Sequence, residues 1–539
     1  MLMLPSPYLA FERKALSKPD LPFLIAPASA GLPYAPDGFR LSYGEIFAMV
    51  ESLRADFAAA GYGAGSRVAL LLQNRPDFFV HWLALNAIGA SIVPINPDMR
   101  PDELAFQIDV SKAQLIVAYP EFDGLVTAGT PDGFSRMHPG DAIPEAQPKR
   151  AAGGGGLQDE CALLFTSGST GKPKACILTN GYFMKLAEWY VTQGGIAAML
   201  EDCEVALTPL PLFHMNALGC TTVGMIVMGG AVVPLDRFSA SKWWQTVSDS
   251  GATIVHALGV IPAILLQLPE HPAERAHKAR FVLGPGVDAR HKTVFEERYG
   301  LPIVEAWAMT ETGGAAVTST ARDVYEPGRR CIGRPRDGMD YRIVDDAGAD
   351  VALGTPGELW VRAAGEDPRR GFFAGYLGDE KATEEAWAGG WFHTGDVVYA
   401  DEAGLLYFFD RKKSIVRRSG ENIAVLEVEA ALMADPEVEA AAVTPVADDI
   451  RGEEVFAFVV PKRPVAEGED MDRALALLAH ASMRLSYHKL PGYVAFVEKL
   501  PVSSTQKLQR GVLRSEGQRL AEAGLSLDLR DRKAGFRTS

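Results

Sequence analysis

The chain predicts an α/β protein: a large N-terminal domain of layered α/β subdomains plus a β-rich subdomain, followed by a small α+β C-terminal domain. Its 539 residues exceed what one hydrophobic core organises, so at least two domains are expected. Short apolar strands alternate with helical patterns over much of the chain, and strands separated by helices pack as parallel layers. From Cys331 onward that alternation gives way to a Val/Ile/Leu-rich, turn-rich stretch, which reads as an antiparallel β subdomain.

Taken in order, residues 43–60 space their apolar side chains as a helix does and stop at Gly61. A buried strand is expected over 68–72, a helix from Pro76 through Asn86, a strand over 91–94, a helix over 101–110 and a strand over 115–118. Between residues 130 and 160 Gly, Pro and polar residues dominate, with four consecutive glycines at 153–156, which predicts a mobile loop inside the large domain. Strands resume at 206–210, 253–257, 281–283 and 303–306, and the β subdomain runs over 331–409. A small α+β unit begins past Arg411, with helices at 426–433 and 471–483. The longest apolar run, 221–234, is broken by glycines and too short to cross a bilayer, so it reads as core and as the wall of an apolar pocket. Residues 531–539 read as a frayed polar tail.

Hydrophobic residues at 47% and charged residues at 22% fit a globular protein. A net charge of -15 argues against a broad nucleic-acid or anionic-membrane surface. It leaves room for a nucleotide, which needs only local positive charge. Five cysteines, odd in number and without metal-ligand spacing, read as reduced thiols of a cytoplasmic protein. The N-terminus has no basic stretch followed by a sustained apolar run, so no signal peptide is expected.

Residues 163–174 read Leu-Leu-Phe-Thr-Ser-Gly-Ser-Thr-Gly-Lys-Pro-Lys. An apolar strand runs into hydroxyls and glycines and ends in two lysines. Gly168 and Gly171 let the backbone turn and approach a ligand closely, and successive N–H groups in such a turn cradle anionic oxygens. Thr166, Ser167, Ser169 and Thr170 add hydroxyls, while Lys172 and Lys174 add charge. It is a phosphate-holding loop, though not the usual P-loop, which needs four residues between its glycines and Ser or Thr after the lysine.

This loop resembles that of the adenylate-forming superfamily, which includes acyl-CoA synthetases, peptide adenylation domains and beetle luciferases. Further segments carry the same resemblance in the same order. Pro209-Leu210-Pro211-Leu212-Phe213-His214 is similar to the segment between nucleotide and acyl pocket, which implies that His214 shapes the acyl site. Gly284-Pro285-Gly286 resembles the turn packed against adenine. Glu305-Ala306-Trp307-Ala308-Met309-Thr310-Glu311 resembles the second signature, with Thr310 on the α-phosphate and Glu311 as magnesium ligand. Trp307 stands where relatives carry tyrosine and keeps an aromatic face. Ala308 replaces a pocket-lining glycine, and Ala308, Gly313, His214 and His256 are the implied substrate residues.

Asp396, in Gly390-Trp391-Phe392-His393-Thr394-Gly395-Asp396, and Arg411 are the implied ribose partners, and Lys413 is the implied hinge. Gly420 and Glu421 resemble the border of the pantetheine tunnel. Lys507 resembles the catalytic C-terminal lysine, although Gln506 replaces the usual glycine before it. The resemblance spans residues 43–510, and its later part looks closest to crotonobetaine/carnitine-CoA ligases. It implies an adenylation domain over 1–410 with ATP and acyl sites, a hinge at 411–413, and a mobile domain over 414–539 carrying the lysine and the CoA tunnel.

The implied activity is an ATP-dependent acid–CoA ligase using ATP, Mg2+ and coenzyme A on an apolar aliphatic or aryl carboxylic acid. The alternatives are an adenylation enzyme that loads a carrier protein, and an inactive ATP- or acyl-binding regulatory protein. No nucleic-acid partner or transmembrane segment is expected, and a homodimer is compatible with the chain.

Overall fold

Two helices of the large domain begin at side-chain caps. Ser42 Oγ accepts from the Glu45 N–H at 3.1 Å and Glu45 Oε2 accepts from the Ser42 N–H at 2.7 Å, a reciprocal pair that starts the helix Tyr43–Ala59. Thr179 likewise accepts from the Tyr182 N–H at the head of Asn180–Val191. The computed structural model describes residues 4–166, 173–258, 260–287, 289–325, 329–345, 347–411, 415–419, 421–466, 468–501, 508 and 510–536.

Among these residues the large N-terminal domain holds three seven-stranded sheets. In the first, Ile303–Val304, Phe281–Leu283, Ile254–His256, Val205–Thr208, Ala231–Pro234 and Pro22–Pro27 lie side by side and parallel, with Gly38–Ser42 antiparallel at the edge. The second centres on the parallel strands Arg67–Leu71, Ser91–Pro94 and Leu115–Ala118 and includes Glu160–Thr166. The third is the expected antiparallel subdomain, with Met339–Val344, Gly357–Ala363, Phe392–Ala400, Leu406–Arg411 and Cys331–Pro335 as neighbours. The small C-terminal domain builds a six-stranded sheet around the long pair Val438–Asp448 and Gly452–Pro461, with helices Val425–Met433 and Asp470–Ala481.

The expected strand at 303–306 divides. Ile303–Val304 belongs to the parallel sheet and Ala306–Trp307 to the antiparallel one, which sets Glu305 at the junction. The strand expected at 206–210 ends at Thr208, because Pro209 and Pro211 have no N–H to give a ladder.

Two expectations are corrected. The glycine-rich loop is pinned along its length: Ala60 O, Gly61 O and Ile88 O accept from the N–H groups of Ala146, Arg150 and Gly153, and Ala64 N donates to Ala151 O. A Cβ on Gly89 would stand 2.1 Å from Gly153 O, so glycine here serves close approach of two backbones. The tail, over its described residues, is docked. Lys533 is 1% exposed and donates to Glu454 Oε1 and Leu490 O, each at 2.6 Å, and Phe536 O accepts from Arg100 Nη2 at 2.8 Å. Glu454 is wholly buried and also accepts from Arg418 Nε at 2.8 Å, so two cations share one carboxylate.

All five cysteines are free, with Cys203 exposed and the others buried. No helix among the described residues is long and apolar enough to cross a membrane.

Candidate active site

The parallel strands end at one edge, and the turns after Thr208, Leu283 and Val304 open there onto a single cavity of about 1480 Å³. Crevices outside the carboxyl ends of parallel strands are where α/β folds bind ligands. The cavity gathers Thr166, Lys174, His214, Pro285, Gly286 and the whole run from Glu305 to Glu311, and Glu421 of the C-terminal domain borders it too. Ser167, Gly168, Ser169, Thr170, Gly171, Lys172, Lys413, Gly420 and Lys507 lie outside the described residues.

Glu311 sits among hydroxyls. Its Oε1 accepts from Tyr376 Oη at 3.0 Å and from Thr166 Oγ1 at 3.4 Å. Lys174 Nζ lies 4.7 Å from the centre of the Tyr376 ring and 3.8 Å from Asp379 Oδ2. No group of three or more His, Cys, Asp or Glu among the described residues could hold a metal alone. That donor set fits magnesium, which takes one or two carboxylates and fills its shell with water and phosphate oxygens. Sequence reasoning missed Tyr376; its only signal was an aromatic residue in the Gly-rich turn after Phe373.

Gly286 has φ +75°, and its N–H donates to Glu305 Oε1 at 2.6 Å. A Cβ on Gly286 would meet nothing within 4 Å, so it is the positive φ, and not packing, that calls for glycine here. Gly284 does not line the cavity: a Cβ there would touch Ile303 at 2.9 Å, so it serves packing on the neighbouring strand.

Burial raises the Glu305 carboxyl from its ordinary 4.5 to about 7, against the opposing pull of the Gly286 N–H. Because the folded chain holds this proton more tightly than the unfolded one, the stabilisation is full below about pH 4.5 and is lost as pH rises through about 7. Glu305→Gln, neutral and isosteric, should flatten that part of the melting-temperature profile and melt above wild type at about pH 8. An unchanged slope would show that the carboxyl titrates normally.

Trp307 is buried, and its Nε1 donates to Asp396 Oδ2 at 2.8 Å, tying the edge strand Ala306–Trp307 to the strand Phe392–Ala400 of the same antiparallel sheet. Asp396 is 1% exposed and does not itself line the cavity, although its neighbour Gly395 does. Arg417 Nη2 of the C-terminal domain comes within 4.0 Å of Asp396 Oδ1, and the backbone of Arg411 stands opposite that of Asp396 in the strand ladder. His214 Nε2 lies 3.5 Å from Glu421 Oε2, across the boundary between the two domains. Burial disfavours the charge on Glu421, but His214, His488 and Lys489 outweigh it and hold the carboxyl at about 2.

Ala308 is exposed and lines the cavity. His256 and Gly313 are not cavity residues. His256 is fully buried behind Asn216, and Gly313, at φ +52°, packs under the Tyr182 ring, where a Cβ would come to 2.4 Å. Both were placed by sequence neighbourhood, which does not say which way a side chain turns.

Residues 11–377 match the AMP-binding enzyme family, and residues 427–507 match the AMP-binding enzyme C-terminal domain. The chain belongs to the AMP-binding enzyme family. This AMP-binding enzyme is 30% identical over 524 residues to sulfoacetate–CoA ligase of Cupriavidus necator, covering 92% of its own chain and 95% of that one. It is also 30% identical over 494 residues to crotonobetaine/carnitine–CoA ligase of Citrobacter koseri, covering 87% and 92%. Its fold matches that of o-succinylbenzoate CoA synthetase from Bacillus subtilis with a TM-score of 0.79 at 24% identity, over 95% of this chain and 98% of that one. As the resemblance implied, this AMP-binding enzyme is an AMP-forming acyl-CoA synthetase of the adenylate-forming superfamily, a class that uses ATP, Mg2+ and coenzyme A.

Proposed function

We propose that this AMP-binding enzyme activates a carboxylic acid with a largely apolar body, forming an acyl-adenylate and pyrophosphate from ATP, and then transfers the acyl group to coenzyme A with release of AMP. The observation that carries the reading is the convergence on one cavity of Thr166, Gly286, Thr310 and Glu311 with Glu421 of the second domain. A carboxylate reacts only when its oxide leaving group has been exchanged for a better one, and adenylation supplies that exchange. The protein's task is to hold two anions in line and meet the charge that develops. Magnesium held at Glu311 would neutralise triphosphate charge. Thr310 and the loop beginning at Thr166 would orient the phosphates, and Lys507 would bring an ammonium to the α-phosphate and the incoming carboxylate. Residues 411–413 would be the hinge about which the domain over 414–539 turns, with Lys413 as pivot, so that Gly420 and Glu421 face the thiol in the second step. Asp396 and Arg411 would hold the ribose.

A panel of carboxylic acids assayed for pyrophosphate release, with and without coenzyme A, tests this. Acid-dependent release followed by thioester formation is the expected result. Release with transfer only to a carrier protein would select the carrier-loading alternative, and no release with any acid would overturn the reading.

Ala308→Gly should widen the acyl site and improve relative use of bulkier acids several-fold, since one methyl group is worth about 1 kcal/mol. ATP affinity should barely move. An ATP affinity that collapses while the acid profile stays unchanged would place Ala308 in the nucleotide site instead.

A further inference from the structure

Asn216 is a polar group on the cavity wall that the chemistry of adenylation and thioester formation leaves unused. It opens the helical segment Asn216–Val223 and borders the cavity beside the apolar side chains of Leu186, Trp189 and Leu258. Its Oδ1 lies 2.8 Å from Nδ1 of His256. The other ring nitrogen of His256, Nε2, lies 2.5 Å from Tyr190 Oη, and Thr221 Oγ1 lies 3.0 Å from Nδ1.

Proton accounting sets the direction of each bond. Burial lowers His256 to about 3, so the ring is neutral and carries a single N–H. Tyr190 is 1% exposed, and among the described residues its hydroxyl meets only His256. A buried phenol hydrogen needs an acceptor, so Tyr190 donates to Nε2 and the ring hydrogen sits on Nδ1. That N–H donates to Asn216 Oδ1. The Thr221 hydroxyl sends its own hydrogen to the Asn216 carbonyl, 3.4 Å away, and does not oppose it. Turning the amide over would set its N–H against the ring N–H, two donors face to face. Asn216 Nδ2 is therefore the atom left toward the cavity, with two hydrogens that no described residue accepts.

We propose that Asn216 Nδ2 is a specificity donor of the acyl pocket, taking a hydrogen-bond acceptor, such as a keto or carbonyl oxygen, on the otherwise apolar body of the acid. His256 and Tyr190 are its positioning residues. The inference rests on the acid–CoA ligase reading given above and narrows the substrate class within it. The body of the acid meets Leu186, Trp189 and Leu258, while one oxygen meets the amide.

Straight-chain acids of equal length, with and without a keto oxygen stepped along the chain, test it through kcat/KM for pyrophosphate release. Wild type should prefer one keto position over the matched hydrocarbon acid by roughly tenfold or more, because an unmet donor in an apolar wall penalises the analogue lacking its partner. Asn216→Leu should bring that ratio to one or below, slowing the keto acid, which loses its donor, and relieving the hydrocarbon acid, which no longer buries an unmet one. Asn216→Asp, the same size but turning an acceptor toward the cavity, should reverse the preference toward hydroxyl-bearing acids while keeping the melting temperature. Tyr190→Phe, which frees the ring hydrogen to move to Nε2, should weaken the preference without abolishing turnover.

Indifference of wild type to the oxygen at every position would overturn the proposal. Equal slowing of both acids by Asn216→Asp would also overturn it, showing a structural role. Failure of the ligase reading is distinct: no acid of any kind would then release pyrophosphate.

Discussion

Glu454→Gln should destabilise the C-terminal domain by about 3–5 kcal/mol, the cost of breaking a buried ion pair from one side. The carboxylate lies at the centre of a buried group in which Arg418 and Lys533 both donate to it. Glutamine keeps the shape and removes the charge. Burial already lowers the Lys533 ammonium to about 7 despite the opposing pull of Glu454, so the lysine can shed its proton. Arg418 cannot, because a guanidinium stays charged in a protein. Most of the cost therefore falls on Arg418, and adding Lys533→Met to Glu454→Gln should recover only part of it. Tryptophan fluorescence would miss the change, since all eight tryptophans lie between Trp82 and Trp391. Hydrogen exchange in the strand pair Val438–Asp448 and Gly452–Pro461 would report it directly. Protection unchanged from wild type would mean that water reaches the cluster and shields it.

Lys507→Ala should slow acid-dependent pyrophosphate release by about a hundredfold to a thousandfold, the usual loss when one positioned donor to developing charge is removed. Thioester formation from pre-made acyl-adenylate should stay near wild type. The expectation follows from the proposed division of labour, in which the lysine serves adenylation while Glu421 borders the site of transfer. Equal loss in both half-reactions would assign Lys507 to binding or folding and would leave the adenylation step without its proposed cation.

The strands were readable because a strand buried on both faces leaves a continuous apolar run, as at Ile254–His256 and Phe281–Leu283. The cavity turns were readable for a related reason, because each demands a residue type at a fixed point. Gly286 must take a positive φ, and Glu311 must present oxygen. What failed were inferences from composition and from neighbourhood along the chain. Glycines at 153–156 suggested freedom, yet a Cβ on Gly154 would stand 2.6 Å from Gly89 Cα, so close approach of two backbones requires that glycine. Lys533 looked solvated because the carboxylate that buries it lies 79 residues away. His256 looked like a pocket residue, and only the positions of Tyr190 and Asn216 reveal that it faces the other way. Side-chain direction and long-range ion pairing are three-dimensional facts with no local trace.

The two domains meet through polar groups. Arg100 donates to Leu485 O and Phe536 O, Lys489 bridges Glu103 and Glu427, and Arg417 approaches Asp396. Among the described residues no apolar cluster joins side chains from both domains. Heat capacity follows the apolar surface that changes its exposure, so the polar contacts named here add little to it. Salt screens exposed charges separated by more than about 10 Å at 0.1 M, whereas these pairs are partly buried and lie within 4.0 Å of each other, so added salt reaches them only weakly. An interface of this kind takes its specificity from where a few charges stand, and not from the fit of a shared apolar core.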